Sequence, residues 1–294
     1  MSFIYRICLL ALFAPGICQA LDVVASSSST GMLVREIAGS HARLSILAPP
    51  DRDLHLLQVR PSMMRALRGA DLVTALGADI EIGWLPLALQ QAANPDILPG
   101  RRGYFEAAAQ VSLLRVSGQA DRALGDVHPM GNPHINMDPL RMAQVGQALA
   151  ERLDELDPGN ADDYLERAAA FSDKVSARLQ GWQAVIAGSP GAVTYHVDLT
   201  YLLDRFQVPL LGVLEPVPGI PPTAAHIKKL TDRLQGKPGV ILFTTYQPER
   251  APQSLARILE WQTVRLPLEP PLKSDGDKYL EHMDAWIESL AAAR

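Results

Sequence analysis

Between Asn160 and Ile186 the chain reads NADDYLERAAAFSDKVSARLQGWQAVI, with no proline and no glycine before Gly181. Tyr164, Ala168, Phe171, Val175, Leu179 and Trp182 recur at close to i, i+3, i+4 and i+7 spacing, which predicts one amphipathic helix. A helix of about 26 residues runs about 40 Å. That is enough to bridge two domains rather than sit inside one.

On both sides of this helix, short apolar strands alternate with amphipathic helices. Before it, LDVVA, ARLSILAP and DLVTALG read as strands. TGMLVREIAG, PSMMRALRGA and IGWLPLALQQA read as helices, the second opening on proline. DPLRMAQVGQALAERLDELDP is a further helix. After the long helix, GAVTYH, VPLLGVLEP, GVILFTTY and TVRLPL read as strands. LTYLLDRF, TAAHIKKLTDRLQ, PQSLARILEW and DKYLEHMDAWIESLAAA are the helices that follow them in turn. Such alternation predicts an α/β fold with parallel sheets. The expected architecture is two Rossmann-like lobes, residues 21–155 and 188–294, joined by a long rigid helix in a linking segment, 156–187.

Residues 1–20, MSFIYRICLLALFAPGICQA, are a different kind of text. One positive charge, Arg6, precedes an apolar run from Ile7 to Phe13 that is too short to span a bilayer. A secretory signal peptide cut after Ala20 is expected, which places the mature chain in the periplasm. A lipid anchor on Cys18 would want a small residue before it, and Ile17 stands there. Both cysteines, Cys8 and Cys18, fall in this leader, so the mature chain has no thiol and no disulfide. Any metal site must therefore use His, Asp or Glu. The net charge of −5 and the absence of a basic run argue against nucleic acid.

No dinucleotide fingerprint, P-loop or nucleophile elbow is present. The run SSSST after the first strand favours a capped turn over a phosphate cradle. Three of the seven histidines stand at connections of one topological kind. His55 lies between the second strand and its helix, His134 just before a helix, and His196 at the end of a strand. Ligands of open α/β sheets bind at such strand ends. If the lobes face each other, the three meet in the cleft. Three imidazoles without cysteine suit Zn²⁺ first, with Mn²⁺ sites usually richer in oxygen ligands. His128 shares with His134 the segment GDVHPMGNPHINMDP. Gly125 and Gly131 suggest a looser setting for His128, and Pro133 a stiffer one for His134. His41 and His282 read as surface residues and His226 as structural. Asp198 reads as an orienting group for His196 or a helix cap.

Four segments together carry a family resemblance over essentially the whole mature chain. GNPHINMDP looks like the NPHxWxDP segment of the periplasmic zinc/manganese-binding proteins of ABC importers, the group of the ZnuA and AztC types. DLHLLQVRPS resembles that family's first-ligand segment, TYHVDLTYLLDRF its third, and LEPVPGIPPTAAHIKKL its EPxPGxxPSxxHL stretch. Leu54 stands where proline is usual, and Asn136 where an aromatic is usual. The resemblance implies two α/β lobes on a backbone helix with the metal between them. It implies His55, His134 and His196 as ligands. Glu269 is the implied fourth, with Asp275, Asp277 or water as alternatives, and His128 is implied as a mobile accessory. The implied function is capture of Zn²⁺, with Mn²⁺ as the other candidate, and its delivery to an inner-membrane permease driven by an ATPase. Such a protein is not an enzyme and is expected to be monomeric. A periplasmic zinc chaperone is a further candidate partner. The other readings are a secreted zinc hydrolase and a surface adhesin. The hydrolase would hold its metal with three histidines and a water, but here lacks the Glu of an HExxH motif; the adhesin would want the lipid anchor.

Overall fold

Parallel strands pair side by side only through crossovers, so the alternation predicted above fixes most of the topology. A computed structural model describes residues 20–114, 128–215 and 219–291. The expected leader, residues 1–20, therefore lies outside the described residues except Ala20, and so does Gly125.

The first lobe runs β1 (Leu21–Ala25), α1 (Ser28–Ala38), β2 (Ala42–Ile46), α2 (Pro61–Arg68), β3 (Leu72–Ala75), α3 (Leu85–Ala92) and β4 (Tyr104–Glu106). Helices α4 (Pro139–Leu156) and α5 (Ala161–Ile186) follow. The second lobe runs β5 (Ala192–Thr194), α6 (Thr200–Arg205), β6 (Leu210–Val213), α7 (Ala224–Leu234), β7 (Val240–Thr244), α8 (Arg250–Leu259), β8 (Gln262–Leu266) and α9 (Gly276–Ala291). The sheets have the orders β2-β1-β3-β4 and β6-β5-β7-β8, and every pairing is parallel. The α/β architecture with two parallel sheets is as expected. β4 is the strand that the sequence did not reveal. It is three residues long, too short for alternation to show, and pairs with β3 from Val73↔Tyr104 onward. No described helix is long and apolar enough to cross a membrane.

The long helix α5 buries one stripe, Tyr164, Ala168, Phe171, Val175, Trp182 and Ile186, at the predicted spacing. It packs along α4 and against α1 and α9. The chain's last helix thus returns to the first lobe. Lys174 reaches both Glu36 and Asp277, at 3.0 and 3.1 Å, and Trp182 donates to Asp284 at 2.6 Å. One apolar core consequently runs from Val23 through Phe171 to Leu242 and Trp286. A smaller cluster, including Val193, Leu230, Ile241 and Leu255, underlies α7 and α8.

A second joint crosses the cleft at the start of α4. Asp138 caps that helix, accepting from Leu140 N–H at 3.1 Å, and its fully buried carboxylate also takes Arg205 of α6 at 2.9 and 2.7 Å. Arg141 completes the cluster. Just before it, Asn132 donates to the Val197 carbonyl at 2.8 Å, and Tyr201 donates to the Asn132 carbonyl at 2.7 Å. The segment that carries His134 is bolted to both lobes.

Candidate metal centre

His55 stands on a short 3-10 turn, Leu54–Leu56, that Asp53 builds: its carboxylate accepts from His55 N–H at 3.0 Å. The same oxygen lies 2.7 Å from His55 Nδ1, which leaves Nε2 facing inward. Burial opposes ionisation of Asp53, but the bonds to His55 outweigh it and hold the carboxyl below its usual range.

His134 sits between Pro133 and the 3-10 turn Ile135–Met137, with its backbone N–H held by Asn132 Oδ1 at 3.0 Å. Its side chain is fully buried, and neither ring nitrogen has a hydrogen-bond partner. Burial first, then the neighbouring His196, His55 and His128, push its pKa well below that of a free imidazole. His196 follows β5. Its Nδ1 lies 3.0 Å from the Glu215 carboxylate at the end of β6, and its Nε2 has no partner. Burial would lower the pKa of His196, but Glu215 and other nearby acids raise it above the ordinary value.

One nitrogen from each of His55, His134 and His196 falls within a 4.8 Å group, the described residues' single cluster of metal-ligating type. Buried polar atoms without partners are rare and costly. Buried imidazole nitrogens gathered this closely suit a divalent transition metal, which takes neutral nitrogens directly. Asp53 and Glu215 each hold a ring of the group through its other nitrogen, the support that histidine usually has at a metal. Beside the group lies a cleft of about 300 Å³ lined by His55, His196, Glu215, Tyr246 and Gln247.

The remaining candidates have other surroundings. His128 is buried, with Nε2 3.0 Å from His55 Nε2 and Nδ1 unpartnered, and burial pushes its pKa to about 3. Gly131, read as loosening it, closes a tight turn: its N–H donates to the His128 carbonyl at 3.1 Å, at φ 135°. A Cβ there would meet Leu113 at 2.7 Å, so this glycine serves close packing.

Glu269 is buried beside the group rather than in it. Its carboxylate accepts from Ser29 N–H at 2.7 Å, Ser29 Oγ at 3.1 Å and Asn136 Nδ2 at 3.0 Å. The serine run thus forms a helix N-terminus that receives a carboxylate of the other lobe, not a phosphate. Asp275 caps α9 through Lys278 N–H, and Asp277 is exposed on Lys174. Asp198 is buried and takes Gln247 Nε2 at 2.7 Å; the orienting acid of His196 is Glu215. His226 bonds the Val213 carbonyl at 2.8 Å. His282, expected at the surface, is half-buried, with Nε2 3.2 Å from the Leu268 carbonyl; His41 lies 2.8 Å from Asp163.

The sequence model of the family described as the periplasmic component A of the zinc-uptake complex, ZnuA, matches residues 23–293. A metal ABC transporter substrate-binding lipoprotein, ScbA of Streptococcus cristatus, is 23% identical over 286 residues, 92% of this chain and 88% of its own length. The crystal structure of ZnuA superposes with a TM-score of 0.76 at 21% identity, over 94% of this chain and 99% of that one. FpvC from Pseudomonas aeruginosa, solved with Mn²⁺, gives 0.78 at 23% identity, over 92% and 97%.

Proposed function

This chain belongs to the ZnuA family of metal-binding proteins of ABC importers, and on that premise we propose that it captures Zn²⁺ in the periplasm for an inner-membrane permease and its ATPase. Membership makes it a substrate-binding protein for a divalent transition metal. The choice of zinc rests on one observation. Three imidazoles converge on one point, and His134 among them is fully buried with both nitrogens unpaired. An all-nitrogen set favours Zn²⁺ over Mn²⁺, which prefers oxygen, although a relative of this fold was solved with Mn²⁺. His55, His134 and His196 are the proposed ligands. Asp53 and Glu215 fix the rings of His55 and His196, and the depressed pKa of His134 keeps its ring neutral, with one nitrogen lone pair free, in mild acid.

The metal is cargo, so binding must be tight enough to capture and reversible enough to deliver. The two bolted joints, at α9 and at Asp138, favour release through local movement at the cleft over a wide hinge. A single chain carries all three nitrogens, which fits a monomer. The leader fits export with cleavage after Ala20. The hydrolase reading has no support in the comparisons.

Isothermal titration of the mature protein tests the reading. His134→Ala is expected to lower zinc affinity at least about tenfold with an unchanged circular-dichroism spectrum. Unchanged affinity would remove His134 from the shell. Competition with Mn²⁺ tests the choice of metal: preference for Mn²⁺ would overturn zinc.

A further inference from the structure

We propose that His128 supplies the fourth nitrogen of the metal shell, and that Asn136 and the α1 N-terminus hold Glu269 out of it. This rests on the metal-binding reading above and deepens it.

The geometry starts at His55. Its Nδ1 lies on the Asp53 carboxylate, which can only accept, so Nε2 is the lone-pair end of the ring. That Nε2 faces His128 Nε2 at 3.0 Å. In a tetrahedral shell with Zn–N of about 2.0–2.1 Å, two ligand nitrogens sit about 3.3 Å apart. The pair is therefore within a few tenths of an ångström of one edge of such a shell. The rings agree with the atoms. Their centroids are 5.1 Å apart for His55–His128, 5.4 Å for His55–His134 and 5.8 Å for His55–His196. They are 5.3 Å apart for His134–His196 and 6.2 Å for His128–His134. Four imidazoles on one tetrahedral metal would place centroids about 5 Å apart. His128 lies outside the group whose nitrogens all fall within 4.8 Å, so it has to close toward His134 and His196 to complete the shell.

The proton balances without release. In the arrangement described, His128 Nε2–H donates to the bare Nε2 of His55. Ligation needs that Nε2 bare, so the proton moves to Nδ1 of the same ring, where the Ala78 backbone is the acceptor at hand. The ring stays neutral throughout.

Glu269 is the competitor, and its oxygens are engaged. Ser29 N–H at 2.7 Å, Ser29 Oγ at 3.1 Å and Asn136 Nδ2 at 3.0 Å all donate to it. Drawing it onto the metal would take an acceptor away from the α1 N-terminus, which Ser27 caps, and leave the buried Ser29 and Asn136 donors short of a partner. Asn136 Nδ2 meets Glu269 from the same segment that carries His134, so the acid is held from both lobes.

X-ray absorption of the zinc-loaded mature protein counts imidazoles directly. Four are expected in the wild type and three in His128→Ala, with zinc affinity lowered at least about tenfold in that variant. Glu269→Gln is expected to stay within about threefold, because the amide keeps an acceptor oxygen for Ser29. Thermal melts confirm that each variant is folded. Three imidazoles with an oxygen donor in the wild type, unchanged by His128→Ala, would overturn the proposal. Loss of zinc in His134→Ala together with wild-type binding in His128→Ala would also overturn it, while leaving the importer reading standing. Wild-type binding in both variants would fell the reading itself.

Discussion

The two sheets share one strand order, β2-β1-β3-β4 against β6-β5-β7-β8, yet the carboxyl ends of corresponding strands carry different chemistry. Behind β1 stand Ser26–Ser29, all buried, and behind β5 stands His196. Behind β2 comes His55 with Asp53, and behind β6 comes Glu215. Behind β3 lies Glu81, buried on Ser26 and on the Leu76 and Gly77 amides at 2.7, 2.7 and 3.0 Å; behind β7 lies Gln247, turned to Asp198. Behind β8, Glu269 crosses to the first lobe and fills the N-terminus of α1. The fold supplies equivalent stations facing one cleft. With His55 and His196 as proposed ligands, what occupies each station decides whether it binds the metal, steadies a ligand or clasps the lobes together.

The clasp is where the comparison breaks hardest. Asp138 is fully buried, caps α4 and receives Arg205 from the opposite lobe. Asp138→Ala removes the cap and strands the guanidinium at once. Losing one partner of a buried pair costs about 3–5 kcal/mol; Arg205 is partly solvated, so about 3 kcal/mol is expected here. Denaturant unfolding of the metal-free protein measures it. A loss near zero would mean that the lobes are held by the α5–α9 packing alone.

The next contrast is between the two orienting acids, one per lobe. Removing a carboxylate behind a ligating imidazole usually costs about 10–100-fold in metal affinity. Asp53→Ala is expected at the upper end. Asp53 both builds the Leu54–Leu56 turn through His55 N–H and holds the ring. Glu215→Ala is expected at the lower end, since Glu215 holds the ring of His196 and accepts from Gly219 N–H at 3.1 Å but builds no turn that carries the ligand. Equal losses in a zinc titration would show that the turn adds nothing to the ring contact.

Much of this was legible in the sequence, for physical reasons that also mark its limit. Periodicity exposed the buried stripe of α5 and the apolar strands, because burial on one face leaves a repeat of 3.6 or a short apolar run. β4 left none: its three residues, YFE, form no apolar run, whereas the equally short β5 sits in the apolar GAVTYH. The positions of His55, His134 and His196 were readable because each stands at a strand's carboxyl end or just before a helix. The partnership of His196 with Glu215, 19 residues away, was not, since only the β5–β6 pairing brings them together. Glu269 follows the last strand and so read as a ligand; its bonds to Ser29 and Asn136 span 240 and 133 residues and belong to tertiary structure alone. His282 read as surface because its helix is amphipathic, but it bonds the Leu268 carbonyl just behind β8.

The smallest effect separates the two lobes by protons. In the first lobe, burial depresses His134 and takes His128 to about 3, so neither ring holds a proton to be displaced near neutral pH. In the second, Glu215 raises His196 above 6.5, so its proton competes with the metal. Zinc affinity is therefore expected to rise with pH up to that raised value and then flatten. Below the bend His196 contributes one proton to the slope, about tenfold per pH unit. Glu215→Gln removes the acid bonded to His196 and leaves only Asp198 and Asp53 to offset burial, so the bend moves to more acidic pH. Between pH 6 and 8 the variant should lose less affinity, relative to its own plateau, than the wild type. Zinc titrations across that range, read at the bend rather than the plateau, decide it. A bend that stays in place would assign the competing proton to a group other than His196.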